Sequence, residues 1–259
     1  MILIKLGGSI ITDKSSYRTF RPDTVRRLAR EMVDSGREFI LIHGAGSFGH
    51  VVAKKHQLNK GSIDPSQIKG VAQVSWDVRE LDTMMLKVLT EEGMDVVSIV
   101  PSSAVTLWEG EIGCIDLSKF HGFLELGIVP MSFGDVVLDD VRGFGICSGD
   151  QLMMELAREF HPDKVIFVTD VDGVFSSDPH MDPEAKLLNT IDGSTLRTLP
   201  RSERCDDVTG SIFAKIEYMM RISDFTDETL ILNGNVPGRL GAALKGEEIV
   251  CSRVQGGMR

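Results

Sequence analysis

Basic residues are scarce in this chain. Its 259 residues include 28 lysines and arginines against 38 aspartates and glutamates, a formal net charge of −10 with histidine neutral. That balance excludes a general nucleic-acid binder or a protein that coats anionic membranes, since both need positive surface. Four cysteines, Cys114, Cys147, Cys205 and Cys251, stand far apart without CxxC spacing, so neither a zinc site nor a disulfide scaffold is expected. No apolar run reaches the ~18 residues of a membrane span, and residues 1–6 are too short for a secretory leader. Fixed-period repeats, low-complexity tracts and Ser/Pro-rich linkers are also missing. The expectation is a cytoplasmic protein with no nucleic acid and no membrane as partner.

The chain does contain an ordinary globular mixture, 42% apolar and 25% charged residues, enough for one large domain. Short β-rich runs at 2–6, 38–43, 96–100, 129–133, 164–169 and 230–233 alternate with helical patterns. Val25, Leu28, Ala29, Met32 and Val33 recur at helical spacing. A longer stripe joins Val71, Val74, Val78, Leu81, Met85 and Val88, and residues 149–160 and 208–222 read as further helices. Runs 136–138 and 144–147 flank Asp139-Asp140-Val141-Arg142-Gly143 and predict an inserted β-hairpin. The fold class expected is α/β: an open, mostly parallel sheet sandwiched between helices, in a single domain spanning 1–259.

Glycine marks the ligand side. In open α/β sheets, ligands collect beyond the carboxyl ends of strands. Three such junctions carry glycine: Gly7-Gly8-Ser9, Gly44-Ala45-Gly46-Ser47-Phe48-Gly49-His50 and Ser148-Gly149-Asp150. One such turn is satisfied by small residues alone, but three in one chain, each next to a polar side chain, point to phosphate. A P-loop is excluded, because GxxxxGK followed by Ser or Thr does not occur. Gly44, Gly46 and Gly49 do form GxGxxG, but the acidic residue about 20 positions on is Asp64, in a turn-like segment with no strand before it. Nicotinamide binding is therefore disfavoured. Lys5 lies inside a strand expected to be buried, where its charge requires a partner, and this predicts a lysine aimed at the phosphate cluster.

These motifs, with Phe133-Gly134-Asp135, Thr169-Asp170-Val171-Asp172-Gly173-Val174 and Asp207-Val208-Thr209-Gly210, resemble the ordered set of the amino acid kinase superfamily. Gly-Ser-Phe-Gly-His ending in His50, with Lys14 after the first glycine turn, resembles the isopentenyl phosphate kinase branch. The alternative that shares the histidine is a kinase of fosfomycin or another small phosphonate. A nucleotide or oxyanion sensor on the same fold could dispense with Lys14 and His50 together, and both are present. The length leaves no room for the extra domains of aspartate and glutamate kinases.

The resemblance implies transfer of the γ-phosphoryl group of ATP to isopentenyl phosphate, in the alternative mevalonate route of isoprenoid biosynthesis. It implies Mg²⁺ held mainly by the phosphates rather than by protein ligands, and a homodimer. By the same resemblance, Lys5, Lys14, His50, Asp150 and Lys215 carry the chemistry. ATP falls to Lys5, Gly7, Gly8, Ser9, Gly46, Ser211 and Lys215, with Asp170, Phe175 and His180 around the adenine and ribose. The acceptor phosphate falls to Ala45, His50 and Gly149, and Val71, Val74, Val78, Met131 and Ile146 are placed along its tail. About 1–160 would form the acceptor-phosphate-binding half and about 161–259 the nucleotide-binding half. Three positions depart from the family pattern: Ser211 and Ala214 replace expected glycines, and Asp206 stands where asparagine is usual.

Overall fold

Alternating side chains in the central strand set the layers. In β1 (Ile2–Leu6), Ile2, Ile4 and Leu6 point to one core cluster and Leu3 to another, so the sheet is packed on both faces. The computed structural model describes residues 1–177, 182, 184–198 and 212–256. The other strands are β2 (Phe39–His43), β3 (Val96–Ser98), β4 (Val105–Trp108), β5 (Glu111–Ile115), β6 (Val129–Phe133), β7 (Asp135–Asp139), β8 (Gly143–Cys147), β9 (Lys164–Thr169), β10 (Thr190–Ile191), β11 (Glu228–Asn233) and β12 (Ser252–Val254). The helices are α1 (Gly8–Ile11), α2 (Pro22–Val33), α3 (Gly46–Lys55), α4 (Gln67–Glu91), α5 (Pro101–Ala104), α6 (Ser118–Glu125), α7 (Gly149–Phe160), α8 (Gly193–Thr198), α9 (Ile212–Ile222) and α10 (Arg239–Lys245). Among the described residues, no helix is long and apolar enough to cross a membrane.

Eight strands form the main sheet in the order β10-β12-β11-β9-β1-β2-β6-β3. All pair in parallel except β11 with β12. One face packs against α2, the C-terminal half of α4 and α10 through Leu28, Met32, Met85, Leu89 and Leu244. The other meets α7 and α9 through Leu152, Leu156, Ile216 and Met220. The mostly parallel, two-faced sheet is the architecture expected from the alternation of elements.

A third cluster lies off the sheet's end, where Val52, Val74, Val78, Phe133, Val136 and Phe144 join α3, α4 and the β7–β8 hairpin. The 25-residue α4 therefore serves two clusters, Leu81 and beyond packing under the sheet and Val74 and Val78 beside the hairpin.

Several element boundaries differ from expectation. The 96–100 strand stops at Ser98, because Val100 becomes the extended N-cap of a helix begun by Pro101. The 230–233 strand starts two residues earlier, and the 208–222 helix is described from Ile212. The hairpin is half of a second, four-stranded sheet ordered β5-β4-β7-β8. Its added strands escaped detection because β5 is largely exposed and carries no continuous apolar face.

Candidate active site

A cavity lies beyond the carboxyl ends of the parallel strands, lined by the turns that follow β1, β2 and β9. Gly7 N donates to Val168 O at 2.8 Å, and Gly44 N donates to Leu6 O at 2.9 Å, so the turns after β1, β2 and β9 stay interlocked. The two glycine turns then pack backbone to backbone. A Cβ on Gly8 would lie 2.5 Å from Gly46 N and Cα, and Gly46 itself adopts φ +50°. Side chains at either position are excluded, by overlap at the first and by both overlap and conformation at the second. Thr12 stitches the pair: its Oγ1 donates to Gly8 O at 2.7 Å and accepts from Ser47 N at 3.0 Å.

Lys5 occupies the strand position opposite Ile42 and Phe167, on the face that meets α7. Its Nζ donates to Asp150 Oδ1 at 2.5 Å, with the two side chains 13% and 5% exposed. Asp150 is held in the first turn of α7 by a capping box. Ser148 Oγ accepts from Gln151 N at 3.2 Å, and Gln151 Oε1 accepts from Ser148 N at 2.9 Å. The N-terminus of α7 thereby faces the crevice, a position that favours anions.

A second lysine–carboxylate pair lies across the glycine turns. Lys14 Nζ is 3.6 Å from Asp170 Oδ2, with the side chains 68% and 36% exposed, and Ser9 Oγ donates to Asp170 Oδ1 at 2.7 Å. Burial pushes the Asp170 carboxyl up, but Ser9 and Lys14 outweigh it and hold it below its ordinary range. This places Asp170 at the first glycine turn, against Ser9 and Lys14, on the wall of the same cavity.

These groups line one cavity of about 700 Å³, within the range of small-molecule sites. Around it the structure gathers Lys5, Gly7, Gly8, Ser9, Lys14, Ala45, Gly46, His50, Val74, Val78, Ile146, Gly149, Asp150, Asp170 and Lys215. His50 lies in α3, half-buried, one turn beyond Gly46. Three expected residues lie elsewhere. Met131 is fully buried in the cluster between the sheet and helices α2 and α4, because alternation along β6 turns it to the opposite face. Val71 packs, partly buried, against the cluster containing Val52 and Phe133 without lining the cavity. Phe175 forms an antiparallel bridge with Leu187, beyond the described cavity wall. His180, Asp206 and Ser211 fall outside the described residues.

Sequence reasoning missed a second apolar wall, made by Phe167, Val174, Ile216, Met219 and Ile231 beside Lys215. Its signal was the register of β9 and β11, which sets Phe167 opposite both Lys5 and Ile231. Asp135, present in the Phe133-Gly134-Asp135 motif but given no role there, is a buried carboxylate in the wall whose Oδ2 accepts from Ser102 N at 3.3 Å and lies 3.7 Å from Arg79 Nη2. Burial raises the Asp135 carboxyl above its usual range despite those partners. Beneath the second glycine turn, His43 is fully buried, stacked on Phe133 at 5.2 Å and 3.4 Å from Asp82 Oδ1. Among the described residues, no three His, Cys, Asp or Glu side chains gather as a metal site.

Comparison with known proteins identifies the family. Residues 1–232 match the model of the amino acid kinase family. An isopentenyl phosphate kinase of Thermoplasma acidophilum is 38% identical, covering 93% of this chain and 95% of that protein. One from Methanothermobacter thermautotrophicus is 36% identical over 99% of each. A crystal structure of isopentenyl phosphate kinase superimposes with a TM-score of 0.86 at 33% identity, covering 98% of this chain and all of that one. These relatives lend no support to the fosfomycin alternative. With the glycine turns, the lysine–carboxylate pairs and these matches in agreement, the chain belongs to the amino acid kinase family and stands there among the isopentenyl phosphate kinases.

Proposed function

We propose that this enzyme transfers the γ-phosphoryl group of ATP to the phosphate of isopentenyl phosphate, producing isopentenyl diphosphate and ADP. The observation that carries the reading is one continuous cavity that joins cationic and glycine-lined walls to two separate apolar patches. One patch, Val74, Val78 and Ile146, suits a short hydrocarbon tail, and the other, beside Lys215, suits a nucleobase.

The chemistry asks for charge neutralisation and alignment more than for covalent help. A phosphate monoester loses its second proton near pH ~6, so near neutrality the acceptor is a dianion and needs no general base. Repulsion between the two polyanions is the obstacle. Lys5 and Lys215 answer it on the ATP phosphates, and Lys14 answers it at the transferred group. Asp150 fixes the direction of Lys5. Ala45 N–H, Gly149 N–H and His50 hold the acceptor phosphate, and a dianion beside His50 favours its charged form. Gly7, Gly8, Ser9 and Gly46 provide short-range donors to the nucleotide phosphates, with Asp170 behind Ser9.

Mg²⁺ entering with the nucleotide would offset part of the phosphate charge. Asp150 and Asp170 face lysines, an arrangement that suits a cation carried on the phosphates themselves. On this reading about 1–160 form the acceptor-binding half, which also lends Lys5 and its glycine turns to the nucleotide phosphates, and about 161–259 form the nucleotide-binding half. Kinship is what supports the alternative mevalonate route, a homodimer and a cytoplasmic setting.

ADP release with ATP and Mg²⁺, measured over a panel of phosphates, phosphonates and amino acids, tests the assignment. Isopentenyl phosphate is expected to give the highest kcat/KM. Turnover of fosfomycin with none of isopentenyl phosphate overturns it.

A further inference from the structure

The loop that carries Lys14 is pinned at a point remote from the lysine. It runs from Thr12 to Phe20, closed at its base by an antiparallel bridge between those residues and by Asp13 N donating to Thr19 O at 2.9 Å. From its far side Tyr17 and Arg18 reach α4 and meet Asp77, a carboxylate with no exposed surface.

A buried anion in the middle of a helix weakens that helix unless donors surround it. Asp77 has three. The Tyr17 hydroxyl donates to Oδ2, Gln73 Nε2 donates to Oδ1 at 2.8 Å, and Arg18 Nε stands 3.6 Å from Oδ1. Two of the three come from the Lys14 loop, so the carboxylate serves the loop more than its own helix. Arg18 also pairs with Glu80, one turn along α4. The Arg18 backbone is left-handed, φ +55°, a conformation that a non-glycine residue keeps when its surroundings enforce it. Desolvation, reinforced by Asp77, pushes the Tyr17 phenol up to about 12, so the donor stays protonated throughout the working range.

Asp77 lies within one turn of Val74 and Val78, which line the cavity. The helix that walls the apolar patch is thus the helix that anchors the Lys14 loop. We infer that Asp77 is a positioning residue: through Tyr17 and Arg18 it fixes the loop that presents Lys14 to the transferred phosphoryl group, and it locks that loop to the helix that bounds the acceptor site. This rests on the role of Lys14 proposed above.

A double-mutant cycle separates positioning from general stability. Wild type, Asp77→Asn, Lys14→Ala and the double variant are compared for kcat and both KM values with isopentenyl phosphate, after circular dichroism melts confirm folding. Asp77→Asn is expected to lower kcat about tenfold or more with the KM for ATP within about threefold. On the Lys14→Ala background its further effect is expected to fall below about twofold. An equal loss of kcat on both backgrounds, or unchanged kcat in Asp77→Asn, overturns the inference while leaving the Lys14 assignment intact. Unchanged turnover in Lys14→Ala overturns that assignment and this inference with it. If Asp77→Asn does not fold, Tyr17→Phe removes one donor and keeps the ring. Its expected loss of about threefold in kcat must also vanish without Lys14.

Discussion

Two lysine–aspartate pairs face the same cavity and share little beyond their chemistry. Lys5–Asp150 joins a central strand to a capped helix, with an N–O distance of 2.5 Å and both side chains nearly closed to solvent. Lys14–Asp170 joins two loops at 3.6 Å, with the lysine 68% exposed. The first is a fixed charge, since removing the lysine strands the Asp150 carboxylate in a low-dielectric site. The second is an adjustable one, worth little to stability and free to exchange its carboxylate for a phosphate. A phosphoryl group that moves between two sites needs both kinds: a stationary reference and a cation that follows the charge.

The contrast breaks most sharply at Lys5. Replacing Lys5 with Met leaves Asp150 buried and unpaired, and kcat is expected to fall about 10²–10³-fold. Urea denaturation should register a loss of about 3 kcal/mol or more in the same variant, the usual consequence of halving a buried pair. A Lys5→Met protein as stable as wild type would remove the distinction between the pairs. A finer test moves Lys5 without deleting it. A Cβ on Gly149 would sit 3.2 Å from Lys5 Cε and 3.2 Å from Ile42 Cγ2, so Gly149→Ala should shift the ammonium and lower kcat about tenfold. Steady-state kinetics with thermal melts that change by only a few degrees would confirm a displaced rather than a missing charge.

The smallest effect belongs to the exposed pair. Asp170→Asn should change stability by less than about 1 kcal/mol at pH 7. Because Ser9 and Lys14 hold the folded carboxyl below its ordinary value, its contribution is complete above about pH 4 and fades as pH falls through the depressed folded value. Denaturation curves of wild type and variant are therefore expected to converge in acid and separate towards neutrality. Separation that grows in acid would reverse the sign and the explanation together.

Much of this site is legible in the amino-acid sequence. The parallel strands announced themselves as short aliphatic runs ending in glycine, because strands buried on both faces leave no polar alternation and tight βα turns admit few residues. Lys5 stood out as a charge in such a run. What escaped was information held in three dimensions rather than in spacing. Met131 and Ile146 are both apolar strand residues, yet one is sealed beneath the sheet and the other lines the cavity, a choice made by register. Asp170 is legible as a candidate nucleotide contact, but its partners Ser9 and Lys14 come from a turn some 160 positions earlier in the chain, which spacing does not reveal. Strand β5 was invisible because its exposed face carries no pattern.

The central place of β1 has a consequence for biosynthesis. Ile2 pairs with Phe39 on one side and with Lys164 on the other. The first neighbour leaves the ribosome soon after β1, but the second appears only when nearly two thirds of the chain has been made. Asp150, the partner of Lys5, is separated from it by 145 residues. Until then the nascent chain holds an aliphatic strand with one open edge and an uncompensated lysine. Pairings of that sequence separation are slow to form and leave aggregation-prone surface waiting. The arrangement that makes Lys5 rigid in the finished enzyme therefore leaves the first strand made half-paired until β9 follows, and a chain released before then would lack the site altogether.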